Sequence, residues 1–142
     1  MRYAGEVNAG VWDINETAAS VARLYFGALG RTPDAGGLGG WTSAIESGTS
    51  SLSQVAGAFV GGAEFQTSYG ALDNTKFVQK LYLNVLARSA GAAETTSWVN
   101  TLNAGTARAD VALAFTESSE FQIKVIGQID RGIVVSDAYM GF

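Results

Sequence analysis

Val21-Ala22-Arg23-Leu24-Tyr25-Phe26-Gly27-Ala28-Leu29-Gly30-Arg31 realigns on Val78-Gln79-Lys80-Leu81-Tyr82-Leu83-Asn84-Val85-Leu86-Ala87-Arg88 at an offset of 57 residues, with Val, Leu-Tyr, Leu and Arg coinciding. The same offset carries Trp41 onto Trp98, Ile45 onto Leu102 and Gly48-Thr49 onto Gly105-Thr106. A one-residue deletion then changes it to 56, and Val55, Ala56, Phe59 and Glu64-Phe65-Gln66 match Val111, Ala112, Phe115 and Glu120-Phe121-Gln122. Matches in order over almost a whole unit indicate a tandem repeat rather than two similar helices. The expected organisation is a lead-in segment over residues 1–16, one domain over 17–128 built of units at about 17–72 and 73–128, and a C-terminal tail over 129–142.

Each unit reads as helices. Val21, Leu24, Tyr25, Ala28 and Leu29 fall at i, i+3, i+4, i+7 and i+8, as do Val78, Leu81, Tyr82, Val85 and Leu86, which is the stripe of an amphipathic α-helix. Thr32-Pro33-Asp34 restarts the chain, with Thr32 expected as N-cap, Pro33 at the first helical position and Asp34 favoured by the helix dipole. Leu38, Trp41, Ala44 and Ile45 supply the apolar face of this second helix, and Ser47-Gly48 ends it. A third helix runs from about Ser51 through Phe59, and a short one from about Glu64 to Tyr69 ends at Gly70. The fold class expected is therefore an all-α bundle of six to eight short helices in two pseudo-symmetric units, each too small to bury its apolar face alone.

The composition removes whole classes of function. The chain has no Cys and no His, so thiol nucleophiles, Cys/His zinc or iron sites, Ser-His-Asp triads and imidazole proton shuttles are excluded. Nine basic residues against 13 acidic ones give a net charge of −4, and the basic residues are scattered singly, so no nucleic-acid partner is expected. Hydrophobic residues at 47% and charged ones at 15% indicate a globular chain, and no apolar run reaches the ~20 residues of a membrane-spanning helix. Membrane insertion is not expected. Residues 1–7 lack the continuous apolar segment of a Sec signal, so export would use another route, such as type I secretion.

The pattern Leu24-Tyr25, Leu29-Gly30-Arg31-Thr32-Pro33-Asp34, Gly37-Leu38, Trp41, Glu46-Ser47-Gly48, Phe59 and Glu64-Phe65 resembles the DUF4214 domain, an all-helical module of bacterial secreted, S-layer and adhesin-type proteins. It is more distantly similar to the linker domains of phycobilisomes. The resemblance covers about residues 17–126. It implies a non-catalytic extracellular or cell-surface module that binds surface polysaccharide or anchors a surface layer, with polysaccharide or a surface-layer protein as partner. The alternative is a structural assembly subunit of a surface filament, sheet or virion, self-assembling through its lead-in and tail, with a virion or cytoplasmic location. DUF4214-like modules often accompany calcium-binding repeats, but the Gly-Gly-x-Gly-x-Asp pattern is absent from this chain. No metal, cofactor or enzymatic activity is expected.

Gly36-Gly37-Leu38-Gly39-Gly40 lacks the preceding strand and following Lys of a phosphate loop, and close backbone packing is the expected reason for its glycines. Glu64 and Glu120 read as helix-capping residues in preference to catalytic carboxylates, and Arg31 and Arg88 as cations at helix ends that pair with a carboxylate such as Asp34. Trp41 and Trp98 lie on apolar stripes and read as core, which leaves Trp12, Tyr3 and Tyr139 as aromatic candidates for a contact surface. The β-branched run at Ile133 to Val135 suggests an extended strand or arm. The two copies differ after Arg31 and Arg88. Ser89-Ala90-Gly91 replaces Thr32-Pro33-Asp34, so any ligand or partner contact is expected at Arg31, Asp34, Gly37 and Gly40, with the second unit as scaffold.

Overall fold

Asn15 stands in an extended conformation, and its side-chain oxygen accepts a hydrogen bond from the Ala18 amide at 2.7 Å, which starts helix α1 (Glu16–Arg23). A computed structural model describes residues 11–12, 15–129 and 133–134. In it α1 runs into a π-helical segment, π1 (Leu24–Leu29), and is followed by α2 (Ala35–Glu46), α3 (Leu52–Gly61) and α4 (Ala63–Tyr69). The order then recurs: α5 (Asn74–Leu81) runs into π2 (Tyr82–Leu86), followed by α6 (Ala92–Asn103), α7 (Arg108–Thr116) and α8 (Ser119–Ile129). The molecule is an all-α bundle. Its described strands are two-residue pieces, β1 (Val11–Trp12) and β2 (Ile133–Val134), antiparallel with Val11 opposite Val134 and Trp12 opposite Ile133.

The apolar stripes face inward. Val21, Leu24, Tyr25 and Ala28 are buried, as are Val78, Leu81, Tyr82, Val85 and Leu86, each large side chain removed from water stabilising the fold by ~1.5–3 kcal/mol. Helices α3 and α7 pack on one another and bury Val55, Ala56 and Phe59 with Val111, Ala112 and Phe115. A second contact joins the halves at their edge: Arg23, almost wholly buried, donates to both carboxylate oxygens of Glu117 at 3.1 and 3.0 Å, and Ser20 donates to the same group at 3.2 Å. Phe65, Tyr69 and Phe77 form an aromatic cluster where α4 meets α5, and Arg108 lies 4.5 Å over Phe77 while donating to the Leu72 carbonyl at 2.6 Å.

The structure corrects four expectations. The stripe beginning at Val21 predicts an α-helix to its end, but its last turns are π-helical in both halves. The wider turn brings two amides onto one carbonyl: Tyr25 accepts from Gly30 and Arg31, and Tyr82 from Ala87 and Arg88. Thr32 is not the cap of α2. Asp34 is, because it is extended (φ −82°, ψ 150°) and its carboxylate accepts from the Gly37 amide at 2.8 Å, which leaves Pro33 ahead of the helix. Trp41 and Trp98 are only partly buried, packed on the rim of the core against Phe59 and Phe115. The strand foreseen at Ile133 pairs with the lead-in, where none was foreseen. Tyr3 and Tyr139 lie outside the described residues, as does the side chain of Trp12.

Candidate functional site

The end of π1 points an arginine across an aromatic ring. Gly30 takes the left-handed conformation (φ 68°) that ends the segment, and Arg31, the next residue, lies with its guanidinium 4.9 Å from the centre of the Tyr25 ring. That guanidinium meets two carboxylates. Nε and Nη2 donate to Glu64 at 2.6 and 3.2 Å, a two-pronged bond, and Nη1 donates to Asp34 at 3.3 Å. Tyr25 is held edge-on against Phe59 at 4.8 Å, and Trp41 closes the group at 5.8 Å from Phe59. Tyr25, Leu29, Arg31, Trp41, Phe59 and Glu64 line an open recess of ≈ 270 Å³.

The same side chains meet in the second half. Ala87 takes the left-handed conformation (φ 57°) at the end of π2, and the Arg88 guanidinium lies 4.9 Å from the centre of the Tyr82 ring. Arg88 donates to Glu120 at 2.8 and 3.2 Å and to Glu94 at 3.0 and 2.9 Å. Tyr82 stands edge-on against Phe115 at 4.8 Å, Trp98 is 5.2 Å from Phe115, and the Trp98 indole N–H donates to the Tyr82 hydroxyl at 3.1 Å. The recess enclosed is smaller, ≈ 140 Å³.

Asp34, Glu94 and Glu120 are held ionised. Partial burial raises the Asp34 carboxyl, but the Gly37 amide and Arg31 more than offset this and leave it below the usual carboxylate range. Hydrogen bonding to Arg88, helped by the Gly91 amide, lowers Glu94 to about 2, and Arg88 also lowers Glu120. Both arginines are raised further above their ordinary value, Arg31 chiefly by Glu64 and Arg88 chiefly by Glu94. Burial, with Asp34 nearby, pushes the Tyr25 hydroxyl up to about 12, so it stays a neutral hydrogen-bonding group. None of these groups is poised to exchange a proton near neutrality.

Of the four residues expected to make a contact, the structure brings Arg31 and Asp34 together and places the Gly37 amide on Asp34. Gly37 must be glycine, because a Cβ there would coincide with the Tyr25 hydroxyl, and this is the close packing foreseen for the glycine run. Gly36 and Gly40 are exposed, and a Cβ on Gly40 would meet nothing within 4 Å, so it takes no part in the cluster. Glu64 and Glu120 prove to be the partners of Arg31 and Arg88 rather than caps. Glu94 was missed altogether. It does for Arg88 what Asp34 does for Arg31, and its Oε1 also accepts from the Gly91 amide at 2.8 Å.

Two larger clefts lie elsewhere. One of ≈ 400 Å³ includes Phe26, Arg31, Asn84, Phe121 and Lys124, and one of ≈ 540 Å³ includes Glu16, Arg23, Ile123, Ile126 and Ile129. The first sets Phe26 and Phe121 beside the cations Arg31 and Lys124 with no carboxylate in its lining, and the second has no aromatic ring in its lining. Among the described residues no helix is long and apolar enough to cross a membrane, and no group of three or more acidic residues is placed to hold a metal ion. The family model described as "Domain of unknown function (DUF4214)" matches residues 15–67 and 56–125. Comparison with curated proteins and with solved structures found no match in either.

Proposed function

The chain belongs to the DUF4214 family, and from that premise we propose that it is a non-catalytic module of the bacterial cell surface or exterior that binds surface polysaccharide or anchors a surface layer. One observation carries this reading. Trp41 and Tyr25 sit at an open recess beside Arg31 and Glu64, with Asp34 on the far side of the guanidinium, so an apolar aromatic surface adjoins groups with unused hydrogen-bonding capacity. Saccharides present both matching faces, with apolar ring C–H groups to pack on an aromatic ring and hydroxyls to bond to carboxylate and guanidinium. The recess lies below the ~300–1,000 Å³ of pockets that enclose a small molecule, which suits a chain ligand lying across a surface.

Calorimetric titration of the protein with purified cell-envelope glycan tests the reading. Saturable heat that disappears in Trp41→Ala is expected. An absence of heat with every glycan fraction would overturn it.

A second reading, a structural assembly subunit of a surface filament, sheet or virion, is favoured by one observation. Ile123 and Ile126 on α8 are 71% and 59% exposed, in the apolar cleft between α1 and α8. Light scattering separates the two readings: assembly requires oligomers that form without glycan and disappear in Ile123→Asp.

A further inference from the structure

We propose, resting on the saccharide reading above, that the chain carries a second glycan site formed by Tyr82, Arg88, Glu94, Trp98 and Glu120, and that both sites select uncharged over acidic sugars. The second unit is then a working site and not a scaffold.

The geometry of the two clusters recurs closely. Guanidinium and tyrosine ring are 4.9 Å apart in each cluster, tyrosine and phenylalanine rings 4.8 Å apart in each, and each arginine grips one glutamate through Nε and Nη2. The second carboxylate is the informative one. Asp34 is the cap residue of α2, whereas Glu94 stands within the first turn of α6 and reaches back to the Gly91 amide. Two residues of different length, from different positions in their helices, thus deliver a carboxylate to the same place on the arginine. Each carboxylate also bonds an amide at the start of its helix, but the pairs with arginine, exposed as they are (side chains 39–48% exposed), each contribute at most ~1 kcal/mol to stability.

Charge sets the selectivity. Each arginine cluster has one guanidinium against two carboxylates, a surplus of one negative charge, with both carboxylates lining the second recess while in the first Glu64 lines it and Asp34 stands behind Arg31; a uronate would meet repulsion where a neutral hydroxyl would donate to a free carboxylate lone pair. In the second recess the indole N–H is already taken by Tyr82, so Trp98 offers its ring surface, and directional bonds fall to the Arg88 cluster.

The test uses the indole N–H resonances of the three tryptophans, assigned with Trp41→Phe and Trp98→Phe. The protein is titrated with neutral hexaoses of glucose, mannose and galactose, and with a galacturonate hexamer. The Trp41 and Trp98 signals are both expected to shift with at least one neutral hexaose, with an apparent affinity at least tenfold higher than for the galacturonate hexamer, and Trp98→Ala is expected to reduce the hexaoses bound per chain from two to one. A shift at Trp41 alone overturns the second site and leaves the saccharide reading standing. Equal or tighter binding of galacturonate overturns the selectivity, and no shift at either indole with any neutral hexaose overturns the saccharide reading itself.

Discussion

Ala87 is the only non-glycine among the described residues with a positive φ, at 57°, and it holds the place that Gly30 holds in the first half. A Cβ in the left-handed region costs ~1–2 kcal/mol, partly offset by the greater backbone entropy that glycine loses on folding. Ala87→Gly is therefore expected to stabilise the protein by about 0.5–1 kcal/mol in urea denaturation, and Gly30→Ala to destabilise it by a similar amount. The glycines of α2 divide in the same way. Gly37→Ala forces a Cβ onto the Tyr25 hydroxyl and is expected to cost about 1–3 kcal/mol, whereas Gly40→Ala adds a methyl in open space and should gain up to about 1 kcal/mol of helix propensity. Equal effects of the two would contradict the packing described for Tyr25. The acid limb reports on the ion clusters. Glu94 falls from an ordinary 4.5 to about 2 in the folded chain, so its contribution is complete above the ordinary value and is lost as the pH drops through the folded one. Asp34 and Glu120 act in the same direction. Thermal melts from neutrality down to about pH 2 should fall in this window, less so in Glu94→Gln, and a melting temperature independent of pH there would contradict the pairing.

Among the elements, α5 with π2 separates core from rim most clearly. Leu81 is fully buried and Leu81→Ala is expected to cost about 2–5 kcal/mol, while the partly exposed Trp98 should cost less than the ~3–5 kcal/mol of a buried tryptophan. Denaturation of the two variants checks the order, and a greater loss in Trp98→Ala would place Trp98 in the core. The stripe of Val78, Leu81, Tyr82, Val85 and Leu86 was legible because burial selects apolar residues at helical spacing. The π turn was not, since α and π windings place so short a stripe on one face alike. The cap of α2 was misread by two residues for a related reason: Thr32, Pro33 and Asp34 all suit a helix start, and only backbone conformation decides which of them accepts the Gly37 amide. The partners of Arg31 and Arg88 did leave a signal. Arg and Glu recur together in both units, at separations of 33 and 32 residues, which is what a bond across the unit would leave in the sequence. Glu94 left none, because it replaces Asp34 in function but not in aligned position.

At the scale of the whole molecule, eight described α-helices bury one continuous core, and α3 against α7 sets the two halves together. The fold could be read from the sequence because a repeat doubles every periodic signal. The proposed binding role could not, since it rests on which aromatic rings remain at the rim and on how carboxylates from distant segments converge on one arginine. We propose that these two rim clusters, rather than the apolar cleft of Ile123 and Ile126, are where the molecule meets its ligand. Co-sedimentation of the Trp41→Ala/Trp98→Ala double variant with purified cell-envelope glycan, alongside the wild type and Ile123→Asp, tests it most directly, with circular dichroism confirming that each variant stays helical. The double variant is expected to remain in the supernatant while the wild type and Ile123→Asp are pulled down; a helical double variant that sediments as fully as the wild type would place the contact elsewhere.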